Sequence, residues 1–412
     1  MLIQTGGGKL KLKEALLRET AALFSVTQRT IRRVWERAQE CISNGSTPNV
    51  CSRLPKRAGR KRIQVDINRV GEIPLRRRTN IRSLSNAINV PKSTLYRRIK
   101  EGAIRPHSNA LKPYLSEENK KVRLQFCLSM LEPNSLEGQP VFKDMHNYVH
   151  IDEKWFYMSK ESERYYLLPE ENEPLRTCKS KKHIAKVMFL AAVARPRFDS
   201  NGNEEFSGKI GIFPFVYTEP AKRRSKNRAA GTLETKAISS VTKDVIRSCL
   251  IEKVLPSIQT KWPGSVGEPI YIQQDNARPH IHPMDPKFLE AACKNGFDIR
   301  LTFQPPNSPD MNVLDLGFFR AIQSLQYQEA PSTVDELVNA VQKSFEELPS
   351  KNLNYIFLSL QTCLVEVMKV NGGNNYKLPH IGKQQLMRIG DLPSQIQCER
   401  DVVEKALAYL QQ

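Results

Sequence analysis

The positive charge of this chain is confined to its first quarter, and that partition constrains what the chain can fold into more than any other feature. Residues 1–112 carry 25 Lys and Arg against 7 Asp and Glu, a net +18, whereas residues 113–412 carry 38 against 36, a net +2. A chain of 412 residues can hold two or three domains, each with its own core. The segregation points to a basic domain facing a polyanion, joined to a near-neutral one. A solvated basic face or a membrane-surface patch would give the same sum. Other classes fall away sooner. The longest uninterrupted apolar run, Val187 to Ala194, has eight residues, far short of the roughly 20 that span a bilayer. The opening MLIQTGGGKLKLK has neither the apolar stretch nor the cleavage site of a secretory leader. Eight cysteines without one CxxC pair argue against structural zinc and a disulfide framework, and fit a reducing compartment. Together with the basic first quarter, the expected location is the nucleus, with no membrane partner.

Within the basic quarter the apolar spacing is helical. Leu17, Ala21, Ala22 and Phe24 fit one helix, and Ile31, Val34, Trp35 and Ala38 fit a second, with Ser25-Val26-Thr27 between them and Thr27 placed to cap the second. That spacing matches a helix-turn-helix, whose second helix carries Arg29, Arg32, Arg33 and Arg37 on its polar side, suited to phosphates and base edges in a major groove. A plain helical hairpin with a solvated basic face fits too. The arrangement recurs: a short helix in 65–74, one over 81–88, a turn at Asn89-Val90-Pro91, and one over 93–100 stopped by Gly102. Here Lys92, Ser93, Thr94, Tyr96, Arg97 and Arg98 are the candidate DNA contacts. Between the two units lies KRAGRKR, in which Arg57, Gly59, Arg60, Lys61 and Arg62 can enter an A·T-rich minor groove. A nuclear import signal or a plain linker reads the same way.

The remainder reads as α/β. Residues 117–131 form an amphipathic helix. Strands are expected at 148–157, 186–194, 209–217, 270–274 and 299–303, and helices at 241–260, 286–294, 313–326 and 334–348. The expected organisation is thus a first helix-turn-helix in 1–45, a basic linker in 46–64, a second helix-turn-helix in 65–112, and a connecting helix and linker in 113–145. A mixed-sheet domain in 146–390 and a C-terminal helix in 391–412 complete it.

Carboxylates mark the chemistry. Asp152 follows His150-Ile151 on a buried strand, Asp275 ends the strand at 270–274, and a third acid, Asp310 or Asp315, lies in QPPNSPDMNVLDLGFFRAIQ. Ligands in sheet folds gather at the carboxyl ends of strands. Three converging carboxylates are costly unless a cation offsets their repulsion, and hard oxygen ligands suit Mg²⁺ or Mn²⁺. Two such ions about 4 Å apart would serve phosphodiester cleavage. Each aspartate taken alone is more often a cap or a surface residue. Glu153 should point to the opposite face from Asp152 by strand alternation. His280 orders the loop after Asp275, contacts DNA, or is a satisfied structural histidine. The basic insertion at 219–235 is a clamp on DNA or on a partner subunit, or a solvated loop.

Three blocks, HIDEKWF at 150–156, QQDNARPH at 273–280 and QPPNSPDMNVLDLGFFR at 304–320, closely resemble the catalytic blocks of mariner-type DNA transposases, most of all the plant branch. The resemblance runs from about residue 14 to about 390 and includes the tandem helix-turn-helix units. It implies an RNase H-like core with an Asp-Asp-Asp site using Mg²⁺ or Mn²⁺. It also implies binding to terminal inverted repeats of double-stranded DNA, excision, joining to a TA target, and a homodimer in the DNA complex. The motif match places the third acid at Asp315, with 39 residues between it and Asp275, rather than at Asp310, with 34 between. Asp310 then caps the following helix. Relatives carry additional N-terminal sequence that supplies a helix ahead of the first unit, so that unit is expected to lack cover. Two alternatives remain: a transposase-derived DNA-binding regulator without activity, for which three acids have no use, and an RNA-directed nuclease of RNase H type, which leaves two helix-turn-helix units unexplained.

Overall fold

The computed structural model describes residues 2–4, 10–48, 51, 63–107, 111–159, 168–172, 174–175, 177, 184–224, 228–264, 267–329 and 331–411. The chain divides into two compact units, Met1–Ala110 and Leu111–Gln412. Among the described residues no helix is long and apolar enough to cross a membrane.

The first unit opens with strands β1 (Leu2–Gln4) and β2 (Leu10–Leu12), paired antiparallel with Leu2 opposite Leu12. The expectation of a purely helical first region is corrected by this hairpin. Helices Glu14–Leu23 and Gln28–Ser43 follow, and the Thr27 hydroxyl accepts from the Thr30 N–H, capping the second as expected. Leu17 and Ala21 are buried, but no residue of Gln28–Ser43 is, and Leu23, Phe24 and Ile42 are exposed. The second helical group is better closed. Its first helix is only the turn Arg69–Glu72, because Pro74 stops it, and helices Ile81–Ile88 and Lys92–Lys100 come next. Leu84, Ile88 and Leu95 form its core, packed by Val70, Ile73, Ile81, Val90 and Ile104. Asn80 caps one helix through the Ser83 N–H, and Asn89, at φ 54°, turns the chain into the next.

The second unit is built on a five-stranded mixed sheet. Strands β3 (Tyr148–Tyr157), β4 (Lys186–Ala194) and β7 (Lys209–Pro214) form an antiparallel meander. Strand β10 (Ile270–Gln274) pairs parallel to β3, and β11 (Ile299–Phe303) parallel to β10, giving the order β11-β10-β3-β4-β7. Small hairpins β5–β6 (Arg197–Phe198, Glu204–Phe206) and β8–β9 (Val216–Pro220, Leu233–Ala237) lie outside it. The expected single strand over 209–217 is therefore two strands parted at Phe215, and the first and last residues of the basic insertion belong to β8 and β9.

Strand alternation divides the core into two layers. On β4, Val187, Phe189, Ala191 and Val193 join the layer containing Leu314, Phe318, Phe319, Phe345 and Phe357, whereas Leu190, Ala192 and Ala194 join the layer containing Ile246, Leu250, Ile258 and Phe288. The first layer is covered by helices Glu117–Ser129, Phe319–Gln326, Val334–Glu347 and Ser350–Lys369. The second is covered by Lys243–Cys249, a π-helical turn Leu250–Val254, Leu255–Lys261 and Pro286–Ala292. Each layer seals one face of the sheet.

Candidate active site

Asp152 is the fifth of the ten residues of β3, and Asp275 follows directly on the last residue of β10. The parallel register, Gln273 opposite His150, carried two residues on sets Asp275 level with Asp152. Beyond β11 the chain runs through the turn Pro309–Met311 into a π-helical turn Leu314–Phe318, which carries Asp315, and then the helix Phe319–Gln326. The Asp315 and Asp152 carboxyls lie close enough to shift each other's ionisation. Two anions at that range repel, so the charge on one opposes the charge on the other.

The surroundings of Asp152 deepen that conflict. It accepts from its neighbour's N–H, Glu153, at 2.7 Å and from the Asn312 side-chain amide at 3.2 Å. Burial, then the charges of Asp315, Glu153 and Asp275, push its pKa up to about 8. Burial also raises Asp315, opposed by the Lys154 ammonium and by the neighbouring Asp152 carboxyl. A carboxyl kept protonated by burial and by neighbouring anions marks a site short of positive charge.

Asp275 meets a cation of the protein's own. Its Oδ1 accepts from the Ala277 N–H at 2.8 Å and from His280 Nδ1 at 2.7 Å, and His280 Nε2 donates to both Glu153 oxygens at 3.1 Å. Burial alone would lower His280, but the two carboxylates overcome it and raise the pKa to about 11, so the ring is an imidazolium. Burial alone would raise Asp275; the His280 and Ala277 bonds hold it below the usual range. Glu153 does point to the opposite face of β3, as alternation requires, yet it is tied to Asp275 through His280. Strand alternation alone makes Glu153 look merely structural and gives no sign of this link. His280 is buried with both ring nitrogens bonded, as the loop-ordering and the satisfied structural readings both expect, and unlike an exposed DNA contact.

Asp310 is not a cap. It is held by Arg123, whose Nη1 and Nη2 donate to its two oxygens at 2.7 Å each, and by the Tyr376 hydroxyl. Burial would raise its pKa, but Arg123 keeps it low. Arg123 is fully buried and spends its other donors on Ser308 Oγ at 2.8 Å and the carbonyls of Gly372 and Gly373 at 2.8 and 3.3 Å. Gly372 permits this loop: at φ 78° an added Cβ would stand 2.2 Å from the Lys120 carbonyl oxygen. Asp310 is thereby charge-neutralised and Asp315 is not.

Among the described residues no group of three carboxylate, imidazole or thiol side chains stands ready-made around a cation position. The donor set nevertheless fits a hard divalent ion: Asp152 and Asp315 are already together and mutually strained, with Asp275 at the adjoining strand end, held by His280.

In the first unit Arg29, Arg32 and Arg33 are exposed; Arg32 lies 3.4 Å from Glu14, and Arg37 donates to the Cys51 carbonyl at 2.7 Å. Lys92, Ser93, Tyr96 and Arg97 are exposed on the Lys92–Lys100 helix. Two candidate contacts on that helix are corrected. Thr94 is buried, and Arg98 is 6% exposed because its guanidinium turns inward to Glu101 at 2.7 Å and to the Ile63 carbonyl at 2.6 Å. Arg57, Gly59, Arg60, Lys61 and Arg62 lie outside the described residues.

Comparison with known proteins bears on both units. Residues 2–45 match a family described as "Domain of unknown function (DUF7769)". No curated protein matches the chain. Among solved structures, the "Mos1 transposase paired-end complex with left transposon end" superposes with TM-score 0.52 at 14% identity, covering 84% of this chain and 88% of that one. The "Crystal structure of a pre-cleavage Mos1 transpososome" gives 0.52 at 14% identity, covering 88% and 94%. The "Crystal structure of the mariner Mos1 paired end complex with Mg" gives 0.52 at 16% identity, covering 87% and 93%. The fold is that of these transposases. The expected class, an RNase H-like mixed sheet with flanking helices behind a helical N-terminal region, is the one found, with the β1–β2 hairpin added.

Proposed function

We propose that the chain is a mariner-type DNA transposase of the plant branch, acting as a metal-dependent nuclease and strand-transferase on the ends of its own element. The observation that carries the reading is the meeting of Asp152 and Asp315 beside Asp275, at the central strands of a sheet whose fold is shared with Mos1 transposase. Asp152, Asp275 and Asp315 would hold Mg²⁺ or Mn²⁺, in all two ions. Such ions, once bound, activate an attacking oxygen and stabilise the leaving oxygen of a phosphodiester.

The chain's own groups prepare that site. Asn312 and the Glu153 N–H fix the Asp152 carboxyl, while Ala277 and His280 fix Asp275. Lys154 brings positive charge near Asp315, its ammonium 5.5 Å from the centre of the Phe319 ring, where it favours an approaching phosphate. The first unit supplies the duplex grip through Arg29, Arg32, Arg33, Lys92, Tyr96 and Arg97. Terminal inverted repeats as the ligand, TA as the target, a homodimer on DNA and a nuclear location complete the proposal.

The test is cleavage of a plasmid bearing the parent element's ends, with Mg²⁺, with Mn²⁺ and with chelator. Cleavage at the ends that requires the metal is the expected result, and it should disappear in Asp152→Ala, Asp275→Ala and Asp315→Ala while DNA binding stays within a few fold. End binding without any metal-dependent cleavage would leave the non-catalytic regulator in its place. Preference for an RNA–DNA hybrid over duplex DNA would favour the RNA-directed nuclease.

A further inference from the structure

The Ser350–Lys369 helix and the segment around Lys383 line a half-open pocket of about 620 Å³, with His380 and Arg388 exposed at its rim, to which none of the three acids contributes. The charged side chains in its lining, Lys383 and Arg388, are both basic. Lys383 Nζ donates to the Tyr355 carbonyl at 2.7 Å and to the Ser359 hydroxyl, and that hydroxyl in turn donates to the same carbonyl at 2.9 Å. Both partners of the ammonium are neutral, and no carboxylate is among the described residues that line the pocket. Burial accordingly lowers the Lys383 pKa to about 8, with no anion opposing the shift.

Two further donors share the cavity. His380 Nδ1 accepts from the Gly382 N–H at 3.3 Å, so a neutral ring carries its proton on Nε2, free to donate elsewhere. Arg388 lines the same pocket. Beside these groups Leu378, Pro379 and Ile381 offer an apolar wall. A half-buried ammonium without a counter-ion, a guanidinium and an imidazole N–H suit a doubly or singly charged oxyanion with several acceptor atoms. The apolar wall and the size of the cavity leave room for a sugar beside it.

We propose that this pocket binds a phosphate group through Lys383, His380 and Arg388. The phosphate is supplied either by a nucleic-acid backbone or by free phosphate. That the backbone is DNA rests on the function proposed above; the phosphate chemistry does not.

The experiment follows acetylation of Lys383 in the full chain by an N-hydroxysuccinimide ester at pH 8, read by peptide mass spectrometry without added divalent metal. Three arms at matched ionic strength contain potassium chloride, inorganic phosphate or a 30-base-pair DNA duplex. Slowing of at least threefold by phosphate, relative to chloride, is expected, and Arg388→Gln should abolish most of it. Slowing by DNA that is likewise lost in Arg388→Gln assigns the source to the backbone. Slowing by phosphate alone keeps the site and assigns it to the free anion. Equal rates in all arms, or protection that Arg388→Gln leaves intact, would overturn the proposal. Plasmid cleavage with metal, scored on the same preparation, fails independently if the catalytic reading is the one at fault.

Discussion

Arg123 and Asp310, 187 residues apart in the chain, meet in a bidentate ion pair with both N···O distances at 2.7 Å. The pair joins the helix Glu117–Ser129 to the turn Pro309–Met311, just ahead of Asp315. It also takes Asp310 out of competition for a cation, since its charge is already answered.

Removing one partner should therefore cost more than losing one hydrogen bond. Arg123→Met leaves Asp310 buried without its cation, a loss of about 3–5 kcal/mol for a broken buried pair. The second unit's thermal midpoint should fall by several degrees, and Asp310→Asn added to Arg123→Met should recover part of it. Differential scanning calorimetry of both variants checks this; a double variant no better than the single one would mean that the stranded charge is not what costs stability.

The same pair sets an acid limit. Asp310 is held below its usual pKa, so the native state binds fewer protons there than the unfolded chain as pH falls. Its stabilisation is present in full above pH about 4 and is lost as pH drops through the native value. Urea unfolding between pH 5 and pH 2.5 should show a steeper decline for the wild type than for Arg123→Met with Asp310→Asn.

Asp152 works in the opposite direction. With a native pKa near 8 and an unfolded one near 4, the metal-free folded state holds a proton that the unfolded chain has released. Stability in chelator should fall with rising pH between those values, by at most roughly 1.4 kcal/mol per pH unit. Asp152→Asn should flatten that slope and melt higher than wild type at pH 8.5 in chelator. Added Mg²⁺ should stabilise the wild type and not the variant. An unchanged slope in Asp152→Asn would mean the acid cluster carries no such repulsion.

Exposed and inward arginines should separate in DNA binding. Arg29→Gln, Arg33→Gln and Arg97→Gln should each lower the salt dependence of duplex binding, by about 0.9 in the log–log slope for each phosphate no longer neutralised. Arg98→Gln should instead lower the stability of 63–104 and leave the slope of the folded fraction unaltered. Fluorescence anisotropy across a salt series, paired with thermal melts, distinguishes them.

Backbone exchange should differ between the two helical groups of the first unit. Nothing in Gln28–Ser43 is buried, whereas Ile81–Lys100 contributes Leu84, Ile88 and Leu95 to a core. Amides of 28–43 should exchange much faster than those of 81–100 by mass spectrometry. Equal protection would mean that the first helix pair is closed by packing outside the described residues.

What the sequence made legible was whatever depends on local spacing. Strands β3, β4, β10 and β11 fall where alternation and β-branched runs place them, and Asp275 falls at the strand end expected of it. The Ser350–Lys369 helix is hard to read because apolar residues occur all around it, leaving no stripe of helical period; twelve of its residues are buried. Partners brought from far away are equally invisible. Nothing near Asp310 announces Arg123, so a local capping role looks natural, and the His280 link from Glu153 to Asp275 depends on how the loop after β10 folds back. Arg98 and Thr94 look like groove contacts because a basic helix does not disclose which of its faces closes the small core beneath it.

The π-helical turn at Leu314–Phe318 has a consequence for chain length. An α-helix advances about 100° per residue, and a single π turn accommodates one residue more than that spacing allows. The extra residue sets Asp315 and the residues after it in different phases: the acid faces Asp152 while Phe319 and Ile322 still reach the core. Deleting one residue between Leu316 and Phe318 would restore a regular helix and rotate one set against the other by that angle. Such a chain must either swing the carboxyl away from Asp152 or lift two large side chains out of their packing, so the count of residues across this turn is as constrained as their identity.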